Sequence, residues 1–290
     1  MHAKRSAVLL NVIVGSSSNF SKALQSYCLS HGLKFIVIDT AEVKNWNLVN
    51  RNFLNPIRSV LESQVEHESK VKWIWTIGIT NPRVGRATLD FVNVELPIAF
   101  AKAIKDPNSM LVFPGALMEN FESLCIQSPY LTSKLHFSQA IESVDTNWVN
   151  LRFSVWYGQN KIGNHLFLGQ VIQCIREDSQ FMMSGGRQLR EYHHIDDDVA
   201  VVFTDFSGKL HSNLNVTHGE SFTLKFIAES IFKSVNKVHL LSVGKHPSNP
   251  QENYDLYFDR SPHFNEIVFR ETIPSLLKYV HKQVGGPTFE

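Results

Sequence analysis

Tyr130 and Lys134 stand four residues apart in the stretch Tyr130-Leu131-Thr132-Ser133-Lys134. On a helix that spacing puts both side chains on one face, so an ammonium can lie beside a phenol hydroxyl. A free phenol titrates near ~10, and a neighbouring cation favours the phenolate. The pair is then a base able to take a proton from a sugar hydroxyl near neutral pH. The same spacing arises by chance on many helices. The chemistry therefore depends on whether the remaining chain sets a cofactor and a substrate beside it.

The chain has 290 residues, 43% apolar and 19% charged, enough for one large or two modest domains with a proper core. Lys and Arg number 28 against 27 Asp and Glu. No overall charge excess is present to drive binding to nucleic acid or an anionic membrane, and an anionic partner has to be held locally. Cys28, Cys125 and Cys174 are too few and too scattered for a disulfide framework or a zinc site, which suits a reducing cytosol. The beginning, residues 1–18, has Lys4 and Arg5 before an apolar run, but the run is short and holds Asn11. No stretch approaches the roughly 20 apolar residues of a membrane span. The expectation is a cytoplasmic protein that binds neither membrane nor nucleic acid.

The elements that must position the pair begin with an apolar, β-branched strand over 7–14 that ends at Gly15, followed by Ser16-Ser17-Ser18-Asn19 and a helix from Phe20 to His31. A buried strand, a small-residue turn and a helix start form the first unit of a dinucleotide-binding fold, with helix amides facing a pyrophosphate. Where a G-x-x-G-x-x-G spacing has three glycines, the chain has Gly15, Ser18 and Ser21, and serine resists positive φ. An ordinary strand-to-helix turn fits this segment equally well. A second strand over 33–38 closes on Asp39, placed to accept from both ribose hydroxyls of an adenosine and to repel a 2′-phosphate, which favours NAD over NADP. Asn52 sits where an adenine-contacting residue or a solvated loop residue can lie. A helix is expected around 57–65 and a third strand over 71–79, entering the turn Thr80-Asn81-Pro82.

A helix over 90–104 contains Pro97, which has no amide hydrogen, so the carbonyl of Asn93 loses its helical partner and is free to accept from a water; a tolerated kink is the alternative. A short strand over 110–113 leads into Pro114-Gly115-Ala116, and a strand over 148–155 closes at Trp156-Tyr157-Gly158. Alternating strands and helices predict an α/β fold with a Rossmann-type, doubly wound parallel sheet over residues 1–157. Ligands gather at the carboxyl ends of such strands, where Gly15, Asp39, Ile79, Gly115 and Tyr157 lie.

Residues 158–290 read as a smaller α/β substrate-binding region with some segments returning to the first domain. It holds an amphipathic helix over 165–175, a helix capped by Ser221 whose Leu224, Ile227, Ala228, Ile231, Phe232 and Val235 form one apolar face, and a closing helix over 273–284. His193, His194, Asp196, Asp197 and Asp198 invite a metal reading, but no second cluster completes a coordination shell and the Asp run reads as a helix cap before Val199. No metal is expected. Arg187 and Arg190 are candidates for a substrate phosphate, or else for salt-bridged surface pairs.

In this order the pieces resemble the extended short-chain dehydrogenase/reductase family, specifically its NAD-dependent nucleotide-sugar epimerase/dehydratase group, over nearly the whole chain. Tyr130-x-x-x-Lys134 looks like the family's catalytic pair, and Asn93 falls at its helix asparagine, whose carbonyl belongs to a proton relay. Leu151-Arg152 through Tyr157-Gly158 is similar to L-R-x-x-x-x-Y-G. Arg190-Glu191-Tyr192-His193-His194-Ile195-Asp196-Asp197 is similar to R-D-F-x-H-V-D-D, and Asn215-Val216-Thr217-His218-Gly219-Glu220-Ser221 to N-V-x-x-G-E-S. The resemblance implies catalysis by Tyr130, Lys134 and Asn93, and a cofactor held by Gly15, Ser17, Ser18, Asn19, Phe20, Asp39, Asn52, Gly78, Tyr130 and Lys134. It implies a nucleotide-sugar substrate against Gly115, Ala116, Ser154, Arg187 and Arg190. It also implies a homodimer through two sheet-flanking helices, one of them carrying Tyr130.

The chain departs from the family in three places. The Ser or Thr that hydrogen-bonds the substrate oxygen is replaced by Pro114-Gly115-Ala116, and losing such a donor costs on the order of a hundredfold in rate. The Asp-Glu pair of dehydratases is replaced by Ala116 and Leu117, which argues against dehydration. The glycine turn carries serines. Two functions follow: an NAD-dependent epimerase or ketoreductase, or a catalytically silent dinucleotide-binding sensor or scaffold.

Overall fold

A computed structural model describes residues 9–63, 70–81, 83–158, 160 and 162–285. The expected strand start at 7–8, helix end at 64–65 and turn residue Pro82 lie outside the described residues. The chain divides into two compact units, residues 1–152 with 202–215, and residues 153–201 with 216–290.

The first unit runs β1 (Leu9–Val14), α1 (Asn19–Ser30), β2 (Phe35–Ile38), α2 (Thr40–Val43), α3 (Leu54–Ser63), β3 (Lys70–Trp75), α4 (Arg86–Asp90), α5 (Leu96–Ala103), β4 (Ser109–Ala116), α6 (Glu122–Gln127), α7 (Pro129–Ala140) and β5 (Trp148–Phe153). The second opens with β6 (Val155–Tyr157), α8 (Phe167–Glu177), β7 (Phe181–Met182), β8 (Leu189–His194) and α9 (Ile195–Val202). β9 (Ser212–Asn215) returns to the first unit, and β10 (Ser221–Thr223), α10 (Leu224–Ser234), β11 (Leu241–Ser242) and α11 (Thr272–Val284) complete the second.

Six strands of the first unit form one sheet in the order β2-β1-β3-β4-β5-β9, with parallel registers for β1/β2, β1/β3, β3/β4 and β5/β9. This is the expected Rossmann-type α/β sheet. The order reverses between β2 and β3 on either side of β1, so the C-terminal end of β1, at Gly15, is the crevice where such sheets bind ligands. β1 and β3 are buried along almost their whole length, as strands covered by helices on both faces must be. Their core gathers Val12, Val14, Trp73, Trp75, Phe100, Leu111, Phe113, Phe137 and Trp148.

β3 ends at Trp75 and not at 79, so Ile79 lies in the loop beyond it, and α10 is capped by Thr223 and not by Ser221, which belongs to β10. Two further elements differ from expectation. β4 continues through Pro114 and Gly115 to Ala116, beyond the expected strand end at Phe113. The helix over 90–104 is broken by a π turn over Phe91–Glu95, in which the Leu96 amide donates to the Phe91 carbonyl five residues back. Pro97, in the first turn of α5, has no amide to give Asn93, and the wider turn passes that gap.

The break between units falls after Arg152, because β6 leaves the large sheet and pairs parallel with β8. In the second unit β8 also pairs antiparallel with β10, and β7 pairs parallel with β11. Ile172, Ile175, Ile227, Ile231, Phe232, Leu276 and Val280 from α8, α10 and α11 share its core. Asp196, Asp197 and Asp198 occupy the first turn of α9, where acidic groups face the positive end of the helix dipole. Asp198 is fully buried and Asp197 nearly so, while Asp196 stays exposed. No helix among the described residues is long and apolar enough to cross a membrane.

Candidate active site

Gly15 ends β1 at φ +105°, and a Cβ there would stand 2.8 Å from both Thr76 Oγ1 and Ile77 Cγ1. Glycine is therefore fixed by backbone conformation and by space. The two serines behave differently. Ser18 is extended at φ −68° and its Oγ accepts from the Ser21 amide at 3.0 Å, capping α1. Buried Ser21 donates its hydroxyl to the Gly15 carbonyl at 2.5 Å and accepts from Gln25 Nε2 at 3.0 Å. The strain expected of serine in a glycine turn does not arise, because neither residue adopts positive φ.

The turn is fastened to the end of β2. Thr40 Oγ1 accepts from the amides of Ser16 (2.7 Å) and Ser17 (3.0 Å), and the Thr40 amide donates to Ser16 Oγ at 3.1 Å. Asp39 uses Oδ1 to cap α2 through the Ala41 amide (2.6 Å) and Oδ2 to accept from Ser16 Oγ (3.1 Å), and it remains exposed. Asn19 and Phe20 form the first turn of α1, with Phe20 buried. Asn52 is occupied by its own loop, accepting from the Asn47 amide at 3.0 Å and donating to the Asn45 carbonyl at 2.6 Å.

Past β3, Asn93 ties three segments together. Its Oδ1 accepts from the Ile79 amide at 2.9 Å, and its Nδ2 donates to the Ile79 carbonyl at 3.0 Å and to Ser133 Oγ at 2.9 Å. Gly78 leaves room for this, since a Cβ there would lie 3.4 Å from Asn93 Oδ1. Ser133 in turn donates to the Tyr130 carbonyl at 2.7 Å. A side chain on the π turn thus anchors the helix that carries Tyr130 to the loop that follows β3.

That helix, α7, is capped by Ser128 and carries Pro129 in its first turn. Tyr130 and Lys134 are both half-buried. Lys134 Nζ donates to the Pro114 carbonyl at 2.6 Å, on β4. Burial lowers Lys134 to about 8, partly opposed by the Glu119 carboxylate. Burial, and then Glu119, push Tyr130 well above the ordinary phenol range. The lowering of the phenol expected from Lys134 does not arise in this structure: burial and the Glu119 carboxylate both raise it.

Glu119 carries no obvious signal in the sequence and was missed there. It is buried, accepts from Arg152 Nε at 2.6 Å and from the hydroxyl of Ser138, and takes the Ala116 amide at 3.0 Å. Asn150 Nδ2 continues this network to Ser138 Oγ and Asn213 Oδ1, each at 2.8 Å. The clue available was an Arg on a strand otherwise reading as buried, which calls for a carboxylate partner. The network also accounts for Gly115: a Cβ there would meet Asn150 Oδ1 at 2.9 Å and Arg152 Cγ at 3.0 Å. Ala116 is buried beside it.

Ser154, Arg187 and Arg190 belong to the second unit. Ser154 Oγ is buried with no hydrogen-bond partner among the described residues. Arg187 lies over the Tyr254 ring, 5.5 Å from its centroid. Arg190 is held by Glu252 at 2.6 Å and donates to the Leu189 carbonyl at 2.8 Å, so the salt-bridged alternative describes it as it stands.

A family model described as the NAD dependent epimerase/dehydratase family matches residues 105–205, which include Tyr130, Lys134 and the Arg190 motif. The resemblance read from the motifs therefore holds. Among solved structures, MoeE5 in complex with UDP-glucose and NAD is similar over 95% of this chain and 97% of its own, at 13% identity and TM-score 0.70. UDP-glucose 4-epimerase from Thermotoga maritima, solved with UDP-glucose, is similar over 93% and 97% at 12% identity and TM-score 0.69. dTDP-4-dehydrorhamnose reductase from Bacillus anthracis, in complex with NADP, is similar over 94% and 99% at 16% identity and TM-score 0.69. At these identities the likeness establishes the fold. No curated protein matches the chain.

Proposed function

We propose that the protein is an NAD-dependent epimerase or ketoreductase acting on a nucleotide-activated sugar. The observation that carries this reading is the linkage of Asn93 through Ser133 to the Tyr130 carbonyl, with Lys134 on the same helix held by the Pro114 carbonyl of β4. The cofactor fits the residues present: Gly15 gives the tight turn at the reversal of strand order, α1 presents its N-terminus, and exposed Asp39 stands at the end of β2. A carboxylate there accepts from the adenosine ribose hydroxyls and disfavours a 2′-phosphate. Several of the similar solved structures hold NAD and one holds NADP, in keeping with this preference.

A bound nicotinamide dinucleotide supplies the hydride donor or acceptor. The chain's own residues handle the proton. Tyr130, holding its proton firmly, is set to donate to a sugar keto oxygen as hydride arrives, and to take the proton back in the reverse direction when Lys134 is charged. Asn93 fixes the helix that carries both. Dehydration is disfavoured by Ala116 and Leu117, which offer no acid or base. Assembly as a homodimer and a cytoplasmic location belong to the same reading.

The test is product analysis with a panel of UDP- and dTDP-sugars, with and without added NADH. Epimer formed without added cofactor identifies an epimerase, and stoichiometric NADH consumption a reductase. The second reading, a silent dinucleotide-binding sensor or scaffold, is favoured by Gly115, where no hydroxyl is present and none fits without displacing Asn150. NADH binding with no product from any sugar nucleotide supports it.

A further inference from the structure

The side chains of Glu191, His193 and His218 converge in the second unit, with one potential ligand atom from each, all within 4.8 Å of one another. Glu191 and His193 are alternate residues of β8 and share one face of that strand. His218 arrives from the turn before β10, a second element facing His193. Relative to the motifs, Glu191 stands where R-D-F-x-H-V-D-D has aspartate. His193 and His218 fall on the free positions of that motif and of N-V-x-x-G-E-S.

We propose that Glu191, His193 and His218 bind one divalent transition-metal ion, with zinc the closest match to two imidazoles and a carboxylate. The side chains are 1%, 0% and 4% exposed, respectively. Glu191 Oε1 accepts from His193 Nε2 at 2.8 Å, from the His218 amide at 2.5 Å and from the Gly219 amide at 3.2 Å. Its other oxygen, Oε2, is buried with no donor among the described residues. A bare carboxylate oxygen in a closed site is costly, and a cation satisfies it.

The surroundings are those of a ligand set. His193 Nδ1 is held by Asp198 Oδ1 at 2.7 Å, and Asp198 Oδ2 accepts from Trp156 Nε1 at 2.5 Å. A carboxylate behind an imidazole fixes its tautomer and aims its other nitrogen at a metal. The His193 and His218 rings are 4.5 Å apart and both pack on Phe269, which keeps water out. The separations from Glu191 Oε1, 2.8 Å to His193 Nε2 and 3.9 Å to His218 Nε2, straddle the ~3.3 Å between two ligands of a tetrahedral zinc ion. The ion takes the place of the proton shared by His193 and Glu191, while Thr272 Oγ1, 3.2 Å from His218 Nε2, releases that nitrogen. Its role is to clamp the turn at 216–220 onto β8, apart from any chemistry at Tyr130.

The experiment uses the full chain, stripped with a chelator and titrated with zinc by calorimetry, followed by X-ray absorption on the protein holding one equivalent. One ion per chain is expected, with a shell of two imidazoles and oxygen and a rise in Tm. H193Q and H218Q are each expected to weaken binding at least about a hundredfold, while H194Q and H211Q retain it. Absence of stoichiometric uptake overturns the proposal. So does a shell with fewer than two imidazoles, or unchanged affinity in a folded H218Q. The wild-type absorption measurement decides the matter even where a variant does not fold.

Discussion

Asn93 Nδ2 and Ser133 Oγ, 40 residues apart in the chain, are 2.9 Å apart in the fold, and that hydrogen bond fixes the Tyr130 helix to the π turn, which the Asn93 bonds to Ile79 tie to the loop after β3. Asn93→Ala removes this bond and both bonds to Ile79, leaving the part-buried Ile79 amide without its side-chain acceptor, and is expected to cost about 1–3 kcal/mol. Ser133→Ala is expected to cost about 1 kcal/mol. Because the two share one contact, urea unfolding of the double variant should show a coupling of about 0.5–1.5 kcal/mol. Strict additivity would mean the bond does not anchor α7.

How much of this site was legible in the sequence follows from the kind of signal each residue leaves. Tyr130, Lys134, Asn93 and Gly15 are fixed by spacing within one element or by backbone conformation, and local pattern reaches both. Glu119, Thr40 and His218 act on residues far along the chain: Glu119 meets Arg152 across 33 positions and Thr40 meets Ser16 across 24. No local period encodes such contacts. The length of β4 was misjudged for a related reason, since Pro114 reads as a strand breaker and only the tertiary context keeps it in the sheet. The parallel sheet itself was legible because buried strands and intervening helices alternate in plain view.

Lys134 should leave its mark on the pH profile. Burial brings it to about 8, so the free protein loses this positive charge as pH rises through that value. A charge needed for proton transfer from Tyr130 then makes kcat/KM fall about tenfold per pH unit above 8. Lys134→Arg keeps its charge throughout and is expected to lose that limb, whatever its absolute rate. An unchanged limb in the arginine variant would assign it to another group.

Gly115 cannot simply be returned to serine. A Cβ there would press on Asn150 Oδ1 and Arg152 Cγ, both within the Glu119 network. Gly115→Ser is expected to destabilise by about 1–3 kcal/mol and not to raise turnover. Thermal unfolding and a rate assay check this together. A tenfold gain in kcat at unchanged Tm would show that the strand end accommodates a hydroxyl.

Lys72 gives a stability prediction independent of activity. It is 3% exposed, its Nζ donates to the carbonyls of Val202 (3.0 Å) and Thr204 (3.3 Å), and burial lowers it to about 8, opposed by Asp205 and Cys28. Between that value and the ordinary lysine value the unfolded chain binds more protons than the folded one, so stability rises with pH. The cost of the buried charge is fully present below pH 8 and is relieved above it. From pH 8 to 9 Lys72 contributes a rise of about 1 kcal/mol, opposed in part by Cys28, whose thiol burial pushes up from 9.0 to about 11. The difference between wild type and Lys72→Met in denaturant unfolding should show this slope, and parallel curves would contradict it.

The central claim is that Tyr130 moves the proton in an NAD-dependent conversion of a sugar nucleotide. The most direct measurement is turnover by wild type and Tyr130→Phe on the sugar nucleotide that the panel identifies, with NADH affinity measured alongside by fluorescence. The account predicts a loss of at least about a hundredfold in kcat with NADH binding unchanged. Turnover by the phenylalanine variant at the wild-type rate would contradict it.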